Sequence, residues 1–161
     1  MGLYKTSTAQ HSGAVLTFIM VYAMCKVNFY NGDRVLIMSF SDFLFQKNML
    51  DFDNFISFRI NVKNSFVQAS VETESLEDDF TSFVLNLRDL YEMRVKKISF
   101  LQSIENNIQV DFNLNEMGGI LVSVRIEDYI NSTMLQLEYG TDQSFLPELI
   151  EEIETTLDEL R

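Results

Sequence analysis

Tryptophan is absent from this 161-residue chain, and cysteine, histidine and proline occur once each, as Cys25, His11 and Pro147. A single cysteine excludes an intrachain disulfide framework and suits a reducing compartment. With one histidine and one cysteine, a zinc site has no ligand set. His11 lies in a polar segment among serine and glutamine, far from any rigid scaffold or orienting third group that thiol catalysis with Cys25 would need. Six glycines supply little linker material. No phosphate-cradling glycine loop and no EF-hand spacing is present, so no cofactor is expected. Cations are also scarce: 12 Lys and Arg stand against 24 Asp and Glu, for a net charge of −12. That balance argues against direct binding to nucleic acid, whose phosphates require clustered Lys and Arg.

The charge is concentrated. Residues 72–79 carry Glu72, Glu74, Glu77, Asp78 and Asp79 with no cation, and residues 142–161 carry seven acids against Arg161 alone. Such surfaces suit a basic protein partner, because opposite potentials speed encounter. They also suit a solvated face that only keeps the protein soluble. The candidate partner-binding residues are Glu72, Glu74, Glu77, Asp78, Asp79, Glu148, Glu151, Glu152, Asp158 and Glu159.

Residues 1–37 read differently from the rest. Ala14 to Cys25 is a twelve-residue run, apolar except for Thr17. It is too short to span a bilayer as a helix, which takes about 20 residues. Three readings stay open for this segment: a buried strand, a leader, or an extension preceding an alternative start at Met38. No membrane contact is expected unless that run is a processing signal.

From residue 38 onward the expectation is one domain, 38–161. Phe58, Ile60 and Val62 alternate with polar residues, as do Val67, Ala69 and Val71, and Lys63-Asn64-Ser65 between them reads as a hairpin turn. Ser75-Leu76-Glu77-Asp78 resembles a capping box with Ser75 as the cap. Leu76, Phe80, Phe83, Val84, Leu87, Leu90 and Tyr91 then form one stripe of a helix reaching about Met93. Four further alternating runs begin at Ile98, Ile108, Ile120 and Leu135, with Gly118-Gly119 as a turn. A last helix buries Phe145, Leu146, Leu149, Ile150, Ile153, Leu157 and Leu160, with Pro147 in its first turn. The predicted class is α+β: an antiparallel sheet of about six strands, β-β-α-β-β-β-β-α, with two helices packed on one face.

The stretch from Asp51 to Leu160 resembles the WapI-like immunity proteins of bacterial polymorphic toxin systems. The resemblance rests on Asp53-Asn54-Phe55-Ile56 entering the first hairpin, the helix from Leu76 to Leu90, the paired strands from Asn107 to Ile126, and Leu137 to Leu146 with Tyr139, Asp142 and Gln143. It implies a non-enzymatic cytoplasmic antitoxin that blocks the C-terminal domain of a toxin, commonly a nuclease with a basic surface. Two alternatives of other classes remain: a carboxylate-based cation-binding domain or enzyme, and a homo-oligomeric module with an apolar contact around Phe43, Phe45, Phe52, Phe55 and Phe58. The oligomeric state is open.

Overall fold

A computed structural model describes residues 3–11, 14–48, 54–102 and 104–161, with side chains described for 19–47, 54–102 and 104–161. The chain runs one plan twice, an antiparallel meander followed by a helix. The first meander comprises β1 (Leu3–His11), β2 (Ala14–Ala23), β3 (Val27–Tyr30), β4 (Leu36–Asn48), β5 (Phe55–Lys63) and β6 (Gln68–Leu76), and it leads into α1 (Glu77–Tyr91). The second comprises β7 (Lys97–Leu101), β8 (Ile108–Leu114), β9 (Gly119–Asp128) and β10 (Thr133–Asp142), and a short 3-10 turn leads into α2 (Leu146–Leu160).

The α+β class and both helices are as expected, but the strands divide differently. In place of one sheet of about six strands, the described residues form a six-stranded and a four-stranded sheet. The helices pack on each other and reach both sheets, α1 against β6 and β7, α2 against β2, β3 and β4. In the first sheet β4 serves two strands along one edge, β3 opposite its first half and β2 opposite its second, with β5 along the other edge. A bulge makes this geometry. The pairing slips between Ser41 and Leu44, and Asp42 takes a φ of 56°. The extra residue bends the strand while keeping Met38, Phe40, Phe43 and Phe45 on the inner face.

Phenylalanine fills the space between the layers. Phe40 meets Phe29, Phe58 and Phe100 at centroid distances of 4.8, 5.1 and 5.9 Å, so its ring joins the two sheets. From α1, Phe80 lies 5.2 Å from both Phe58 and Phe100. Burying each such ring stabilises the fold by about 2–3 kcal/mol, and favourable pairs add about 0.5–1.5 kcal/mol. Phe43, Phe45 and Phe58 therefore belong to the core, with exposures of 1, 4 and 2%, and are no surface patch. Phe55 is half-buried, and Phe52 lies outside the described residues.

The start of α1 differs by one residue from the capping box expected at Ser75. Strand β6 stays paired through Leu76, opposite Phe55, which draws Ser75 onto the buried inner face beside Ile56. Leu76 becomes the cap, its N–H donating to Asp79 Oδ2 at 3.1 Å. At the β8–β9 turn Gly118 has a φ of +83°, and a Cβ on Gly119 would meet Asn115 Nδ2 at 2.7 Å. Among the described residues no helix is long and apolar enough to cross a membrane.

Candidate partner-binding surface

The two acid-rich segments fold into two patches and two braces. Glu72 and Glu74 alternate outward on β6 and face Arg59 and Ser57 of β5. Arg59 binds Asp42 at 2.8 Å and Glu72 at 2.5 Å, and the Ser57 hydroxyl donates to Glu74 Oε1 at 2.9 Å. Together with Glu105, from the loop between β7 and β8, these residues line an open groove of about 470 Å³ on the outer face of the first sheet, with Tyr22 and Leu44 at its apolar side. Four carboxylates thus share one groove with a single guanidinium, which pairs with two of them, Asp42 and Glu72. Asp42 and Glu105 were no part of the expected set. The break of alternation at Ser41-Asp42 is a local signal for the first, whereas only the fold brings in the second.

The helices run antiparallel. Arg161 Nε lies 2.7 Å from Glu77 and Arg88 Nη2 lies 2.6 Å from Glu154, which sets the acidic start of α1 against the end of α2. Asp78, Glu151 and Asp158 are exposed there with no ion-pair partner among the described residues. Glu148, also exposed, lies 3.7 Å from Arg34. Glu159 is half-buried beside Cys25, whose thiol is raised chiefly by burial.

The remaining acids are structural. Burial alone would raise the Glu77 carboxyl, but hydrogen bonds from Asn54 and Arg161 outweigh it and hold the group below its ordinary value. Glu152 was expected among the partner-binding acids. Instead it is half-buried and reaches the open edge of β3, where the Asn28 N–H donates to Oε2 at 2.6 Å and the Asn28 side-chain amide to Oε1 at 2.8 Å. Burial raises its carboxyl, only partly offset by those bonds. A carboxylate here satisfies a backbone donor that an edge strand would otherwise leave open.

The far edge of the same sheet is closed in the same manner. Glu74 N–H donates to Glu105 Oε2 at 3.1 Å, and Gln102 Nε2 donates to the Glu74 carbonyl at 3.0 Å and to Thr73 Oγ1 at 2.8 Å. Gln102 Oε1 accepts from the Asn107 and Ile108 N–H groups, both at 3.1 Å. Glu105 is thus both groove wall and edge brace. Among the described residues no three His, Cys, Asp or Glu side chains converge to hold a metal ion.

These features define a two-sheet α+β domain with two antiparallel helices and an acid-rich exterior. Residues 29–161 match the Immunity protein WapI-like family, and the chain belongs to that family. Among curated proteins none matches it significantly. Of solved structures, MRP1/MRP2 of Trypanosoma bruciei is similar at 10% identity and a TM-score of 0.40, over 82% of this chain and 81% of that one. WHY1 from Arabidopsis thaliana is similar at 9% identity and a TM-score of 0.41, over 98% of this chain and 85% of that one. Neither value is high enough to carry structural detail across.

Proposed function

We propose that this chain is a non-enzymatic, cytoplasmic immunity protein that binds the C-terminal domain of a cognate toxin and neutralises it. The observation that carries the reading is the family match over residues 29–161. The toxin domain is a nuclease. Such an enzyme must present cations to RNA or DNA, and a protein of net charge −12 is complementary to that surface. Asp78, Glu151 and Asp158 supply the long-range attraction, because all three are exposed and form no ion pair among the described residues. The groove acids Asp42, Glu72, Glu74 and Glu105 extend the same sign of potential across the first sheet.

The test is co-expression with the toxin domain encoded next to this chain. Growth should be rescued, and the purified pair should associate more slowly as salt rises. Reversing Asp78, Glu151 and Asp158 to lysine should slow association at low salt by about tenfold or more while leaving dissociation nearly unchanged. Failure of the wild-type chain to protect cells overturns the reading. Protection with an unaltered association rate in the triple variant removes those three acids from it.

A further inference from the structure

Strand edges are where sheets join other chains, and among the edges whose side chains are described, β10 combines an unbraced backbone with an incompletely covered apolar face. The β3 edge is held by Glu152 and the β6 edge by Gln102 and Glu105. On β7, at the opposite side of the second sheet, the inward residues Ile98 and Phe100 are 7 and 1% exposed, covered where α1 packs. On β10 the corresponding residues Leu135, Leu137 and Tyr139 are only partly buried, because the apolar face continues past the last strand.

The backbone there is equally incomplete. Gly140 turns its carbonyl away from β9 and accepts the Gly32 N–H at 2.9 Å. The two-residue period gives Met134, Gln136 and Glu138 the same outward orientation, and their N–H and C=O groups find no such partner among the described residues. The edge also lacks the usual protection. Its register with β9 is unbroken from Thr133 to Asp142, with no bulge, proline, lysine or arginine. Its one charge before Asp142, on Glu138, accepts a hydrogen bond from Ser123 at 3.0 Å.

We propose that the open edge of β10, Thr133–Tyr139, is the docking site for an extended, basic segment of the toxin domain, which adds a fifth strand to the second sheet. This rests on the immunity reading above and names the contact that would hold the complex. Main-chain bonds to Met134, Gln136 and Glu138 give a docking length of about 17 Å. Alternate apolar side chains of the guest cover Leu135 and Leu137, beyond the point where Tyr139 is covered by β3 and Phe145, and the intervening positions face Gln136 and Glu138. Charge selects the occupant. The β9–β10 hairpin carries Glu127, Asp128, Glu138 and Asp142 against Arg125 alone, so a Lys- or Arg-bearing strand is attracted. A second copy of this chain would instead bring a like charge of −12.

The experiment follows amide hydrogen exchange at Gln136 and Glu138, free and bound to an inactivated form of the toxin domain encoded next to this chain, alongside affinity for Gln136→Pro. The proline removes only an outward N–H, so the ladder with β9 should survive. Both amides should exchange at least about tenfold more slowly in the complex, as newly bonded edge amides do. Q136P should bind at least about tenfold more weakly, since the guest loses one main-chain bond and meets a ring. If wild-type protein binds and protects cells but neither amide slows, strand addition is overturned and the immunity reading stands. If wild-type protein neither binds nor protects, both fall. The exchange measurement needs no variant and so remains decisive should Q136P misfold. Slowed amides in toxin-free protein that light scattering finds dimeric would assign the edge to a second copy and overturn the proposal.

Discussion

Replacing Gln102 by leucine tests the brace at the β6 edge. Gln102 is 4% exposed and makes four hydrogen bonds, two through each end of its amide. Its orientation is forced, since the backbone N–H groups of Asn107 and Ile108 can only donate and so fix the oxygen. Leucine matches the size of the side chain but strands the fully buried Ile108 N–H and two part-buried groups, the Asn107 N–H and the Glu74 carbonyl. Thr73 is less affected, because its hydroxyl also lies within reach of Glu105 and Asn107 at 2.7 and 2.6 Å. With one fully buried and two part-buried losses, the cost should be about 3–5 kcal/mol. That is a large share of the roughly 5–15 kcal/mol available to a domain, and it should lower Tm by about 10 °C.

Urea unfolding of both proteins is the assay: the midpoint should fall with m unchanged. Gln102→Glu sharpens the test. Its carboxylate would face the Glu74 carbonyl beside Glu105, so it should be at least as damaging at neutral pH. It should recover relative to wild type on acidification, because a protonated carboxyl can donate and stability tied to a raised pKa is lost as pH rises. A loss below about 1 kcal/mol for Q102L, the net worth of one ordinary hydrogen bond, would refute the reasoning.

Glu151 and Glu152 adjoin in sequence but should respond oppositely to reversal. Glu152→Lys should cost about 2–3 kcal/mol by stranding the Asn28 N–H, and Glu151→Lys less than about 0.5 kcal/mol, as read by thermal unfolding; equal effects would remove the brace from β3. Glu77 is held below its ordinary value of 4.5 by Asn54 and Arg161, so its contribution is present above that pH and lost as pH falls through the depressed value. Glu77→Gln should therefore flatten the acid limb of stability against pH below about 4.5, and superimposable limbs would show that the pair carries no linkage.

Much of the second half of the fold was legible because each strand there has one wet face. Ile108, Val110, Phe112 and Leu114 alternate without a break, and all are buried. The first half hides its pattern in two ways. Residues 14–23 form β2 yet are apolar on both faces, so no two-residue period can appear. In β4 the bulge at Asp42 shifts the phase between Phe40 and Phe43, so no unbroken two-residue period marks the strand, and the sequence shows there only a phenylalanine-dense stretch. The division into two sheets depends on which strands meet across long stretches of chain, and no local pattern records it.

The surface was legible as charge but not as roles. Glu72 and Glu74 do line a groove, whereas Asp42 and Glu105 arrive only through topology. On α2 the 100° step between successive residues sends Glu152 to β3 and leaves Glu151 in water. Gln102, with four side-chain hydrogen bonds, sits in a polar loop where composition predicts nothing.

The bond from Asn28 to Glu152 spans 124 positions of the chain, and it sets an order on biosynthesis. Chains emerge at roughly 5–20 residues per second, so β3 would wait on the order of ten seconds between its own appearance and that of its brace. From the emergence of Glu105, which braces β6, to that of Glu152, the β3 edge stays a bare template for any nascent neighbour. A premature stop within α2 would thus leave the oldest part of the molecule unfinished, and its earliest strands, rather than the missing tail, would be where proteases and aggregation begin.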